Sequence, residues 1–199
     1  MQKIKLIVCY QKDGGIGLGL LLLYISKELP GDMRRFMALR KNCVIIVGRI
    51  TWETLRKHPL PDCINVVVSG RNEFEHDEDA DKISSSLSEA IAWAQKMHPD
   101  KDIAIIGGEK IYNEALQLNV VDIVHATVVD GERPADKFFP ELSPDIFSVV
   151  FEEEQIPGES GIKFCFKDYK RKEVETEKEY HFFSPPKGPS KDTYGGGAD

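Results

Sequence analysis

The chain has 199 residues, of which 33 are acidic and 26 basic, giving a net charge of −7 and a pI near 5.3. That balance excludes a basic nucleic-acid-binding surface, and the length suits one domain with at most a tail. Four scattered cysteines, Cys9, Cys43, Cys63 and Cys165, form no CxxC pair. They read as reduced thiols of a cytoplasmic protein rather than a zinc site or a disulfide frame.

Met1–Lys5 leads into a strand-like run without the long apolar segment of a secretory leader, and Leu20–Leu23 is too short to span a membrane. Ile4–Tyr10 reads as a buried strand. Gln11–Gly19 reads as a glycine-rich loop whose spacing does not match G-x-G-x-x-G. Leu29-Pro30-Gly31 then turns the chain into a helix from Asp32 to about Leu39, with Met33, Phe36, Met37 and Leu39 at helical spacing. Val44–Val47 is a second strand, and Gly48-Arg49 leads to a short helix starting near Thr51. Ile64–Ser69 is a third strand, followed by an acidic surface loop, Glu73–Asp81. Ser86–Met97 is an amphipathic helix with Leu87, Ile91 and Ala94 on one face. Ile103–Ile106 is a strand closed by Gly107-Gly108, and Lys110–Leu116 the helix after it. Val121–Val129 is a further strand, and Phe147–Glu154 and Ile162–Tyr169 form a hairpin around Pro157-Gly158. Alternating strands and helices predict an α/β fold, a mostly parallel sheet covered on both faces with an antiparallel C-terminal edge. Residues 1–172 form the expected domain. From 173 onward charge, Pro and Gly dominate, and a flexible tail is expected.

Several strand ends carry chemistry. Asp32 opens a helix between apolar segments, which fits either a helix N-cap or a partly desolvated carboxylate in a pocket. Gly48-Arg49-Ile50-Thr51 joins a glycine, a cation and a hydroxyl at a helix start, an arrangement that suits an anion or a plain N-cap. Ser69-Gly70-Arg71 offers a hydroxyl and a guanidinium at the next strand end. Gly107-Gly108 permits close backbone approach at a third, before Glu109, Lys110, Ile111 and Tyr112. Three anion-competent strand ends in one parallel sheet suit a dinucleotide lying across its carboxyl edge.

Gly15-Ile16-Gly17, Leu29–Phe36, Val47–Leu55, Leu60-Pro61, Ile64–Ser69, Ile105–Tyr112 and Phe138–Leu142 occur in an order and spacing that resemble dihydrofolate reductase, from about Lys3 to Arg171. The resemblance implies a single-domain mixed sheet of eight strands, a monomer, and hydride transfer from NADPH to dihydrofolate. It implies that Asp32 is the pocket acid near the pterin and that Thr127 hydrogen-bonds it. Val8, Cys9, Met33, Phe36 and Ile106 match the folate cleft. Ile16, Gly17, Gly48, Arg49, Ile50, Thr51, Ser69, Arg71, Gly107, Gly108, Lys110, Ile111 and Tyr112 match the NADPH side, with Tyr112 against the nicotinamide. No metal, membrane or nucleic-acid partner is implied.

Two departures stand out. Leu23-Tyr24 replaces the family's Pro-Trp, with three extra residues before Asp32. Cys63 stands where the family has the arginine that binds the substrate's α-carboxylate, and Arg40 where a threonine braces it. Arg40 reads either as that guanidinium relocated across the pair to reach the α-carboxylate from the helix side, or as a solvated arginine near a helix C-terminus, where the dipole favours it. The alternative is a homologue that kept the fold but acts on another pterin, nucleotide or riboflavin-precursor pyrimidine, or on none.

Overall fold

The computed structural model describes residues 2–23, 28–71 and 73–173. The first half runs β1 (Ile4–Gln11), β2 (Gly15–Leu18), β3 (Leu21–Leu22), α1 (Asp32–Arg40), β4 (Val44–Gly48), α2 (Arg49–Thr54) and β5 (Ile64–Val68). The second runs β6 (Lys82–Ser84), α3 (Leu87–Met97), β7 (Ile103–Ile105), α4 (Glu109–Gln117), β8 (Ile123–Val129), β9 (Lys137–Phe138), β10 (Phe147–Gln155) and β11 (Phe164–Arg171).

The main sheet has eight strands in the order β10-β11-β8-β1-β7-β4-β5-β6. Neighbours from β8 to β6 pair parallel, and β11 and β10 close one edge antiparallel. This is the predicted mixed α/β architecture with its C-terminal hairpin.

Apolar residues occupy consecutive positions in the central strands because both faces are covered. Val44 and Ile46 face the cluster under α3 and α4, with Leu6, Ile105, Leu87 and Ala115. Ile45 and Val47 face the other way, toward Trp52, Phe36 and Leu39 of α2 and α1. The start of α3 is held by Ser86, whose hydroxyl accepts from Glu89 N–H, while Glu89 accepts from Ser85 N–H in return. That reciprocal arrangement satisfies donors at the helix start.

Four local expectations are corrected. The glycine-rich segment is not only a loop: Gly15–Leu18 pairs with Leu21–Leu22 and with Lys137–Phe138 in a second, three-stranded sheet. Its period-2 pattern is too short and too poor in side chains to be visible in sequence. α2 begins at Arg49 rather than near Thr51. β8 begins at Ile123, since Val121 is already needed to fill the cluster under α4. The acidic loop contains a 3-10 turn at Asp77–Asp79. The expected tail, apart from Glu173, and Tyr24 lie outside the described residues. Among the described residues no helix is long and apolar enough to cross a membrane.

Candidate active site

Parallel strands end on a common edge, and here β1, β4, β5, β7 and β8 deliver Cys9, Gly48, Ser69, Gly107 and Thr127 toward it. α1 adds Asp32. The helix is capped by Gly31, whose φ of 92° lies in the left-handed region that glycine tolerates, and Asp32 is the first helical residue. The N-cap reading of Asp32 is thereby corrected. Its side chain turns to the sheet, where Oδ1 accepts a hydrogen bond of 2.7 Å from Thr127 Oγ1. Thr127 is 4 % exposed and pairs in register with Cys9 on β1 and Phe166 on β11.

Burial dominates the electrostatics of this pair. It pushes the Asp32 carboxyl above its ordinary range, and the Thr127 hydroxyl and the nearby Arg35 charge only partly oppose it. The Cys9 thiol is also raised, by burial first and by the Asp32 charge second, so it stays a neutral wall. The result is one carboxyl that holds its proton unusually well beside an apolar strand, the property a proton donor or a hydrogen-bonding anchor needs.

The apolar walls follow. Met33 is exposed, Phe36 is half-buried, and Ile106 is buried at the end of β7. The Tyr112 hydroxyl donates to the Ile7 carbonyl at 2.7 Å, tying α4 to β1. Val8, expected to line the folate cleft, is corrected. Its side chain belongs to the cluster under α3 and α4, because strand alternation sends Cys9 toward Asp32 and Val8 away from it.

On the expected cofactor side, Gly48 N–H donates to Gly107 C=O at 2.7 Å and locks the two glycine turns together. Gly107 has a φ of 127°, and a Cβ on Gly108 would sit 2.7 Å from Thr51 Oγ1. Both positions therefore exclude side chains for steric reasons of their own. Thr51 and the exposed Ile50 lie at the start of α2, beside the two glycine turns. Arg49 is committed in part, since its Nη1 donates to both oxygens of Glu53 at 2.9 and 2.8 Å. The Ser69 hydroxyl donates to Arg71 C=O and accepts from Arg71 N–H, a local turn that presents the exposed Arg71 side chain. Lys110 is exposed, while Ile111 is buried, with Cγ1 3.0 Å from where a Cβ on Gly48 would lie. Ile16 and Gly17 sit on β2, Ile16 packed against the core.

Arg40 and Cys63 are brought together. Arg40 is only 5 % exposed, and its Nη1 donates to Cys63 Sγ at 2.9 Å and to Pro61 C=O at 2.5 Å. The guanidinium carbon lies 5.5 Å from the Phe36 ring centroid, and buried Nε has no partner among the described residues. No carboxylate pairs with this cation among the described residues.

A family model described as dihydrofolate reductase matches residues 3–171. The chain belongs to the dihydrofolate reductase family. It is 30 % identical over 169 residues to a dihydrofolate reductase type 5 of Escherichia coli, covering 85 % of this chain and 99 % of that protein. It is 38 % identical over 113 residues to a dihydrofolate reductase of Buchnera aphidicola, covering 57 % of this chain and 65 % of that protein. A bifunctional dihydrofolate reductase-thymidylate synthase of Paramecium tetraurelia is 27 % identical over 163 residues; 81 % of this chain spans only 33 % of its length.

Within this dihydrofolate reductase fold, four groups escaped the reading of the sequence: the Ile7 carbonyl, and the side chains of Arg35, His125 and Asp168. The β-strand period would have put His125 on the face of Thr127, but nothing local pairs it with a residue 43 positions away.

Proposed function

We propose that the protein reduces 7,8-dihydrofolate to tetrahydrofolate with NADPH, as a monomer in the cytoplasm. The observation that carries the proposal is the buried Thr127–Asp32 hydrogen bond at 2.7 Å, which sets a single proton-retentive carboxyl at the carboxyl edge of a parallel sheet. A pterin presents an amino group and a ring N–H side by side. A carboxylate accepts from both, and in this role Asp32 orients the ring and favours protonation at N5. Thr127 fixes the carboxyl rotamer, leaving Oδ2 directed at the ligand. Cys9, Ile106, Met33 and Phe36 supply apolar walls that exclude water from the reacting carbon.

The residues of the glycine turns fit NADPH. Gly48, Gly107 and Gly108 would present bare backbone to a pyrophosphate, Thr51 offers a hydroxyl, and the exposed Arg71 offers a guanidinium for a 2′-phosphate. Arg49 and Ser69 shape that end, with Ile50, Lys110, Ile111, Ile16 and Gly17 around it, and Tyr112 stands beside the reacting end. When bound, NADPH supplies the hydride. Arg40 takes the α-carboxylate of the substrate's glutamate: a buried cation that, among the described residues, has an unpartnered Nε and no paired acid fits an anionic ligand.

The test is dihydrofolate-dependent loss of NADPH absorbance, abolished by methotrexate and by Asp32→Asn. A folded protein that binds NADPH and shows no dihydrofolate-dependent oxidation would overturn the proposal.

A further inference from the structure

We propose that His125, Asp168 and Arg35 form a charge chain that sets the proton affinity of Asp32, with Arg35 as the positioning residue that faces it and Asp168 as the group that restrains Arg35. The proposal rests on the reading of Asp32 as the proton-linked group.

The geometry is continuous with the site. Arg35 lies three residues after Asp32 on α1, so the two share a helix face. His125 lies two residues before Thr127 on β8 and Asp168 two after Phe166 on β11, so all four project to the same face of the sheet. Arg35 Nη2 donates to Asp168 Oδ1 at 2.5 Å, and His125 Nδ1 donates to the same oxygen at 2.7 Å. The three side chains are each under one-fifth exposed. The guanidinium carbon lies 4.6 Å from the Phe166 ring centroid and 5.9 Å from that of Phe151, which holds Arg35 flat against the sheet.

A cation one turn from Asp32 favours the ionised carboxylate and so opposes the proton affinity that burial creates. Asp168 removes most of that opposition. It draws the guanidinium toward β11 and neutralises its charge, leaving the chain at net zero when His125 is neutral. Burial pushes the Asp168 carboxyl up, but His125 and Arg35 outweigh it and hold it below the ordinary range, so it stays ionised through neutral pH.

The other charged groups on this face are engaged elsewhere. Lys5 on β1 lies 3.8 Å from Asp102, Lys170 on β11 lies 3.9 Å from Glu173, and Glu153 on β10 accepts from Gln155. Cys9 faces Asp32 as a neutral thiol, and Thr127 as a neutral donor. Among the described residues, Arg35 is the cation whose charge acts on Asp32.

The deciding experiment is a carbon-13 NMR titration of the Asp32 carboxyl in the full-length chain without substrate or cofactor, for the parent, Asp168→Asn and Arg35→Gln. Asp168→Asn frees the cation and should lower the Asp32 pKa by about one unit, whereas Arg35→Gln should raise it by about one unit. Opposite shifts cannot come from loosened packing. The pH at which single-turnover hydride transfer is half-maximal should move in the same directions. If Asp168→Asn does not fold, Arg35→Gln alone decides. An Asp32 titration that is unmoved, or that moves the same way in both variants, overturns the chain. If Asp32→Asn retains the parent's pH limb, the reading of Asp32 is wrong, and the NMR shifts still judge the chain by themselves.

Discussion

Asp32→Asn should make the protein more stable and less active at once. The Asp32 carboxyl holds its proton above its unfolded value of 3.8 because burial disfavours the charged form. A folded state that binds the proton more tightly than the unfolded chain is stabilised below about 3.8, and the stabilisation is lost as pH rises through the folded pKa. Above the folded pKa the parent carries an ionised, buried carboxylate, and each unit of upward shift costs about 1.4 kcal/mol. Asparagine removes that cost, and its Oδ1 still accepts from Thr127 Oγ1. In a chain of this size 1 kcal/mol corresponds to about 2–4 °C in Tm. Thermal melts should show Asp32→Asn above the parent by at least that increment at pH 7, with the gap closing toward pH 4. Hydride transfer in single-turnover stopped flow should fall by about 10²–10⁴-fold, the range of a lost acid–base group. A variant less stable than the parent at pH 7, or more stable by the same margin at pH 4 and pH 7, would refute burial of the charge as the cause.

Other consequences can be checked singly. Arg40→Met should leave stability to denaturant unchanged or raised, because it replaces a buried cation that no acid pairs with by an apolar chain of similar length. The same variant should raise KM for dihydrofolate about 10–100-fold while leaving a diaminopyrimidine inhibitor that lacks a glutamate unaffected; an unchanged KM would remove Arg40 from the site. Gly108→Ala should destabilise by about 1–3 kcal/mol, because its Cβ would meet Thr51 Oγ1 at 2.7 Å. Adding Thr51→Ala should recover part of that loss in urea unfolding, and no recovery would place the strain elsewhere. Arg71→Ala should weaken NADPH by about tenfold or more and leave NADH unchanged in fluorescence titration, since a 2′-phosphate is the group a guanidinium reads; equal losses would contradict that role.

Much of the site was legible because its parts are punctuated locally. Gly31, Gly48 and Gly107-Gly108 stand at strand and helix ends, where backbone geometry requires them, and they bracket Asp32, Thr51 and Tyr112 at fixed offsets. The contacts that depend on long-range register were not. Arg49 is bound by Glu53, one turn along the same helix and detectable in principle. The Ser69 hydroxyl is absorbed by its own turn.

From the sequence alone, the mostly apolar run at Ile4–Tyr10 and the apolar runs at Val44–Val47 and Ile103–Ile106, alternating with helical segments, pointed to a largely parallel sheet buried on both faces, because a half-solvated strand alternates polar with apolar residues. Motif order determined the family and the position of Asp32. Only the tertiary structure decided which side of each strand a residue serves, sending Cys9 to the acid and Val8 to the opposite core. It alone joined His125 to Asp168 and Arg35, up to 133 residues apart, and it gave the Arg40–Cys63 neighbourhood that the resemblance implied its 2.9 Å contact. The physical reason is common to these cases. Hydrophobic periodicity is written along the chain, whereas the pairing of charges follows from strand register and helix docking, which no local stretch encodes.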